Sequence, residues 1–268
     1  MATDATTRRP RLLVVVAHPD DETFGCGSVL LYAAAAGAVT GVVCATRGEE
    51  GSPAPGVDVP AEGLGALRER ELHDAAALLG VSEVVLLGYR DSGMDGEAPA
   101  DSLVAAPPDD VVAAVRKAVI AFDADVAVTL DASDGHRDHA RMRKATLAAV
   151  EGLPVSVYLH CLPRSLMRRW LAHHAGGDAA AAYEQFPDLG TPDEQLTTVL
   201  DTSEHLPRRG EAIAAHRSQT SPFEGLPDDL REAFLGRDHL IRAVPAWDGG
   251  APEQSLFAEE IPLWERPR

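Results

Sequence analysis

The sequence predicts an α/β fold: a mostly parallel sheet with helices on both faces, in a single domain with C-terminal additions. Three observations carry this prediction. Short valine-rich apolar runs alternate with longer segments of helical pattern between residues 11 and 160. The first of these runs, Leu12 to Ala17, is apolar throughout, as expected of a strand covered on both faces. The chain has 268 residues, 45% of them hydrophobic and 25% charged, which is enough to bury a core without disulfide staples.

Residues 1–10 are polar and read as a frayed start. Arg11 to Ala17 forms the first strand. Residues 24–36 have a helical pattern that ends at Gly37, and Val39 to Thr46 reads as a second strand. Residues 48–65 make a loop rich in Gly and Pro, longer than a connector requires, which points to function. Leu67 to Leu79 is a helix closed by Gly80. Glu83 to Leu87 is a third strand, followed by a long polar loop over 88–108. Asp109 and Asp110 open a helix that runs to Phe122, with both acids where the helix dipole favours them. Val126 to Leu130 is a fourth strand, 131–135 a loop, the stretch to Val150 a helix, and Pro154 to His160 a fifth strand.

Beyond Cys161 the pattern loosens. Arg164 to Ala175 reads as a short basic helix, 176–194 as a flap-like segment, Leu196 to Leu200 as a strand and Pro207 to His216 as a helix. The tail over 246–268 reads as wrapping the surface. With no internal repeat and no linker between two cores, residues 11–245 are expected to form one Rossmann-like domain.

Charge narrows the function classes. Asp plus Glu number 42 against 24 Lys plus Arg, a formal charge of −18 that repels phosphate backbones and anionic lipid. Nucleic acid and membrane surfaces are therefore not expected partners. Cys26, Cys44 and Cys161 are too few and too scattered for a disulfide framework or a CxxC zinc site, which suits a reducing compartment. The uncharged stretch 23–46 is long enough to span a bilayer, but Gly25, Gly27, Gly37 and Gly41 punctuate it and alanine fills much of it. It reads as a buried helix and strand. His18, Asp20, Asp21 and Glu22 follow the first apolar run at once, so no signal-peptide pattern forms. A soluble, cytoplasmic protein is expected, and a homo-oligomer is compatible with the sequence.

In open parallel sheets, ligands bind outside the carboxyl ends of the strands. Two segments fall there. In Ala17-His18-Pro19-Asp20-Asp21-Glu22, His18 and Asp21 stand three apart across a turn, so both can face one ion. An imidazole with a carboxylate suits Zn2+, or another divalent metal such as Fe2+ or Co2+. Asp20, between them, is free to serve as a base. The competing reading makes Asp20 and Asp21 a helix N-cap pair and His18 a packed side chain. Four ionisable groups directly after an apolar strand are costly unless used. In Asp134-Gly135-His136-Arg137-Asp138-His139, one histidine would complete a His/Asp/His set with a fourth position open to water. The other histidine would stand beside the metal, and Asp138 would accept a hydrogen bond from an imidazole and fix its tautomer. Here the competing reading is a solvated polar loop.

Other signals are weaker. Gly25-Cys26-Gly27 begins like a dinucleotide fingerprint, but Leu30 occupies the third glycine position. His173 and His174 read as a solvated pair. His73 and His239 show no partner.

The segments His18-Pro19-Asp20-Asp21-Glu22 and His136-Arg137-Asp138-His139 together resemble the PIG-L / LmbE-like family of zinc-dependent N-acetylglucosaminyl deacetylases. Arg137 replaces the proline usual in the second motif. Thr46-Arg47-Gly48-Glu49, Arg68-Glu69-Arg70-Glu71-Leu72 with Leu79-Gly80-Val81, Tyr89 to Met94, and Ala215-His216-Arg217-Ser218-Gln219 resemble further family elements. The resemblance implies that His18, Asp21 and His139 bind zinc and that Asp20 is the general base toward the attacking water. It implies that His136 stabilises the oxyanion or acts as general acid, and that Asp138 orients a histidine. It also implies that Arg68 and Asp91 hold sugar hydroxyls. Asp134 stands where the family's mycothiol branch tends to carry a tyrosine. The implied function is a zinc-dependent hydrolase that removes an N-acetyl or longer N-acyl group from a small-molecule, glucosamine-containing conjugate. The alternatives are a metal-dependent amidase acting on a non-sugar conjugate and an inactive sugar- or metal-binding relative.

Overall fold

The computed structural model describes residues 8–175 and 189–257. The described residues form one seven-stranded sheet in the order β3-β2-β1-β4-β5-β7-β6. Its strands are β1 (Arg11–Val16), β2 (Val39–Cys44), β3 (Glu83–Leu86), β4 (Val126–Leu130), β5 (Ser156–Cys161), β6 (Thr198–Asp201) and β7 (Arg237–Val244). The first five run parallel, and β7 pairs antiparallel with both β5 and β6. The helices are α1 (Asp21–Phe24), α2 (Gly27–Ala35), α3 (Leu64–Leu78), α4 (Pro108–Phe122), α5 (Arg137–Ala149), α6 (Arg164–His174), α7 (Leu206–Ala215) and α8 (Asp228–Leu235).

The period-two alternation of β1 builds both faces. Leu12, Val14 and Val16 pack with Val29 and Leu30 of α2, Leu72 of α3 and Ala212 of α7. Leu13 and Val15 pack on the opposite face with Val111, Val115 and Phe122 of α4 and Met142 of α5. A third apolar cluster joins Leu166 and Met167 of α6 to Leu230, Phe234 and Leu235 of α8. Among the described residues, no helix is long and apolar enough to cross a membrane.

The helix expected over 24–36 is α2, which starts three residues later, and the separate turn α1 ends at Phe24 before it. The break lies at Gly25, where an added Cβ would come within 2.8 Å of Leu130 and 2.9 Å of the Asp21 carbonyl oxygen. Helix α3 begins at Leu64, inside the expected loop, because Gly63 turns the chain at φ 92°. Helix α8 and strand β7 were not expected. The start of α8, Pro227-Asp228-Asp229, repeats the Pro-Asp-Asp start of α4 and is a legible signal. Strand β7 carries Arg237, Asp238 and Arg242 among its apolar residues, which hides its pattern.

Of the start expected to fray, residues 1–7 lie outside the described residues, and Arg8 pairs with Asp125 at 2.7 Å. In the tail, Glu253 lies along β6 by backbone hydrogen bonds to Thr197 and Val199, and Phe257 stacks on Tyr32. Most of the expected flap, residues 176–188, lies outside the described residues.

Candidate metal centre and active site

Strand β1 sits between β2 and β4, so its two neighbours lead to opposite directions of chain winding. This is the topological switch point of the parallel part of the sheet, and crevices open there at the carboxyl ends of strands. Residues 17–22 leave β1 into it, and residues 131–139 leave β4 into it.

The turn after β1 is held in an uncommon backbone state. Asp20 has φ 102°, a region L-residues rarely occupy. Its N–H donates to Glu22 Oε2 at 2.9 Å, and its carbonyl accepts from the Thr23 and Phe24 amides at 2.9 and 2.6 Å. Glu22 is itself fully buried. It accepts from the Thr23 hydroxyl at 2.5 Å and faces His216 Nε2 at 2.7 Å. Over-determination of this kind is what keeps a strained conformation in place.

The two segments meet through Asp21. One carboxylate oxygen lies 3.5 Å from His18 Nδ1 and accepts the His18 amide at 2.9 Å; the other lies 3.2 Å from His139 Nε2. His139 Nε2 is buried without a hydrogen-bond partner. The rings of His18, His136 and His139 cluster with centroids 4.6, 4.7 and 5.3 Å apart. A buried ring nitrogen without a partner, facing a carboxylate that also faces a second imidazole, fits a divalent cation of the zinc class.

The outer ring nitrogens are satisfied by carboxylates. His18 Nε2 lies 3.2 Å from Asp138 and 3.4 Å from Asp91, and His139 Nδ1 lies 2.6 Å from Asp134. Such partners fix which nitrogen carries the proton and leave the other to ligate. Asp138 also accepts the Ser92 amide at 3.0 Å, and Asp91 accepts those of Glu50 and Gly93. His136 is the N-cap of α5, and its Nδ1 accepts the Asp138 amide at 3.1 Å, which places its ring proton on Nε2.

Arg68 faces Asp20 rather than open space. Its Nη2 donates to Asp20 Oδ2 at 3.1 Å and to the Pro19 carbonyl, and its Nη1 donates to the Gly48 carbonyl at 2.8 Å. The Arg68 and Asp91 side chains are thus both turned toward neighbouring site residues.

The electrostatics follow from this crowding. Burial pushes the Asp20 carboxyl up, Arg68 only partly offsets it, and the value reaches about 6. Burial opposes charge on His139, but Asp21 and Asp134 override it and lift the ring to about 10. His18 is likewise raised against its burial by Asp138, Asp21 and Asp91. His136 goes the other way, down to about 4, from burial and from its two neighbouring imidazoles. The carboxylates around His18 and His139 favour positive charge between them, which a cation supplies as well as protons do.

Three supports have no role assigned from the sequence, although Glu22, Glu71, His216 and Ser218 stand in the motifs quoted above. Glu22 and His216 hold the turn from beneath, and Glu71 accepts both the amide and the hydroxyl of Ser218 at 2.9 and 2.6 Å. The buried Arg209 of α7 donates to the Phe24 carbonyl at 2.6 Å. The sequence alone gives Asp134 no role toward His139. A polar residue in an otherwise amphipathic helix, such as Arg209, carries no local mark of its distant partner.

The family model PIG-L, described as GlcNAc-PI de-N-acetylase, matches residues 13–150. A 1D-myo-inositol 2-acetamido-2-deoxy-alpha-D-glucopyranoside deacetylase of Acidothermus cellulolyticus is 33% identical, over 92% of this chain and 94% of its own length. Deacetylase 1 of the same description from Saccharopolyspora erythraea is 37% identical, over 80% of this chain and 78% of its own. Among solved structures, a deacetylase from the teicoplanin biosynthesis pathway aligns with TM-score 0.60 at 22% identity, over 87% of this chain and 98% of that one. That likeness speaks to the fold alone. The family match and the near full-length relatives establish that the chain belongs to the PIG-L family.

Proposed function

We infer that the chain is a metal-dependent hydrolase that removes an N-acyl group from a small glucosamine-containing conjugate. His18, Asp21 and His139 hold the metal, zinc by preference. The observation that carries this reading is the Asp21 carboxylate between His18 Nδ1 and the unpartnered, buried His139 Nε2, one residue from Asp20. The full-length relatives described as deacetylases of a glucosamine–inositol glycoside support the substrate class.

When bound, a divalent cation supplies Lewis acidity toward the amide carbonyl and toward water. Asp20 takes the proton of the attacking water as the base and returns it to the departing amine nitrogen. Burial raises its carboxyl above the usual carboxylate range, the direction that suits a group that must accept and then give back a proton. Arg68 aims that carboxylate through Oδ2, leaving Oδ1 for the water. His136 donates from Nε2 to the oxyanion, because its Nδ1 already accepts the Asp138 amide. Asp138 and Asp91 orient His18, and Asp134 orients His139. The products are a carboxylate and a free amino sugar.

Purified protein, analysed for metal and assayed for acetate release from N-acetylglucosamine conjugates with and without a chelator, tests this reading. About one zinc per chain with chelator-sensitive release is the expected result. Absence of bound metal, with no activity gained on adding any divalent ion, would overturn it.

A further inference from the structure

The loop between β3 and α4 is held beside the candidate metal site by a side chain to which the mechanism gives no part. Arg137 is the first residue of α5 and stands between His136 and Asp138. Its guanidinium donates to four main-chain carbonyls of one short stretch. Nε reaches Gly93 at 2.6 Å, Nη1 reaches Gly96 at 3.0 Å, and Nη2 reaches Asp95 at 3.0 Å and also Ser92. Gly93 and Gly96 have φ of 68° and 71°, the left-handed state in which the chain curls around the guanidinium. The same stretch touches the site and a cavity at once. The Ser92 amide donates to Asp138 at 3.0 Å and the Gly93 amide to Asp91 at 2.8 Å, and Asp91 lies 3.4 Å from His18 Nε2. Between the gripped carbonyls stands Met94, which is 59% exposed and lines a cavity of about 520 Å³ together with Asp21, His139, Trp170 and Phe223.

We propose that Arg137 is a positioning residue for substrate binding: it sets the 92–96 loop in advance, so that Met94 stands at the cavity wall before substrate arrives. The proposal rests on the deacylase reading above. A guanidinium suits this task because it carries its N–H donors in a rigid planar fork, which several carbonyls can share. A loop fixed in its binding conformation does not have to be ordered when substrate binds. Without the guanidinium, the two left-handed glycines leave the stretch free to adopt other turns, and ordering it again weakens substrate binding. The proline usual in this motif has no donor for these carbonyls, so the role belongs to this chain rather than to the motif. The guanidinium makes no hydrogen bond to Asp20, His136 or the proposed metal ligands, so its effect falls on KM rather than on kcat.

The test uses the metal-loaded full chain and the phenyl glycoside of N-acetylglucosamine, with free amine as the readout. Arg137→Pro is compatible with the fold, because proline suits the first position of a helix and His136 already has the extended backbone, φ −70° and ψ 125°, that precedes proline. Arg137→Gln leaves the backbone unchanged. Both are expected to raise KM about tenfold, with kcat within about threefold of the parent. Met94→Ala is expected to raise KM about tenfold, and Met94→Leu, which keeps the volume, to hold it near the parent value. In the double variant Arg137→Gln/Met94→Ala the two effects are not expected to multiply, because both act through one contact. Amide hydrogen exchange over 92–96 should quicken in both Arg137 variants while that of α5 stays as in the parent. Unchanged exchange in the loop, or a fall in kcat with KM unchanged, would overturn the proposal and leave the deacylase reading intact. Effects that multiply in the double variant would also overturn it, by separating Arg137 from Met94. No amine release from the parent chain would instead remove the deacylase reading and the proposal with it.

Discussion

His139 presents Nδ1 to Asp134 at 2.6 Å, and its Nε2, without a hydrogen-bond partner, faces Asp21 at 3.2 Å. On the proposed reading, the Asp134 contact keeps the ring proton on Nδ1 and leaves the Nε2 lone pair for the metal. Asp134→Ala is therefore expected to weaken metal affinity by about 10-fold to 100-fold. Competition with a graded chelator measures this. Asp134→Asn, which keeps an acceptor oxygen, should recover part of the loss. Unchanged affinity in Asp134→Ala would remove the role given to this residue.

Gly48 is close enough to Arg68 that an added Cβ would overlap the guanidinium, and its own φ of 66° disfavours a side chain. Gly48→Ala should push Arg68 away from Asp20. Displacement of a group that aims the base by about 1 Å can cost about 100-fold in rate, so kcat is expected to fall on that order. The strain at positive φ costs about 1–2 kcal/mol, giving only a modest fall in Tm. Comparison of kcat with Tm separates the two effects, and a lowered Tm with normal kcat would contradict the link from Arg68 to Asp20.

Asp238 of β7 is a buried carboxylate that ties β5 to α7. It lies 3.1 Å from His160 Nε2 and 3.7 Å from Arg209, and it accepts the Thr202 hydroxyl at 2.9 Å. Burial pushes it up, but these partners prevail and hold it below the usual carboxylate range. A folded-state value below the unfolded one stabilises above the unfolded value, near pH 4, and that stability is lost as pH falls through the folded value. Asp238→Asn is expected to be less stable than the parent at pH 7, by about 3 kcal/mol. The gap should narrow below about pH 4. Urea unfolding at pH 7, 5, 4 and 3 measures it, and a gap independent of pH would contradict this account.

The parallel half of the fold was legible because β1, β2 and β4 are buried on both faces and so are apolar runs, and because each helix ends on a glycine or starts on acids. The candidate residues stand out for a related reason. His18, Asp20, Asp21, His136, Asp138 and His139 are polar clusters in the loops that follow such strands. Strand β7 and helix α8 were not legible, because their partners lie far along the chain and Asp238 interrupts the apolar alternation with a charge satisfied only in three dimensions. The inward turn of Arg68 was hidden for the same reason. Its partners, the Pro19 and Gly48 carbonyls and Asp20, leave no trace in the sequence around it.

We propose that Asp20 acts on the water while His18, Asp21 and His139 hold the metal. Asp20→Ala, measured side by side for zinc content and for amine release, tests it most directly. About one zinc per chain, as in the parent, is expected, with turnover reduced by at least about 100-fold. Near-parental turnover with zinc in place would contradict it.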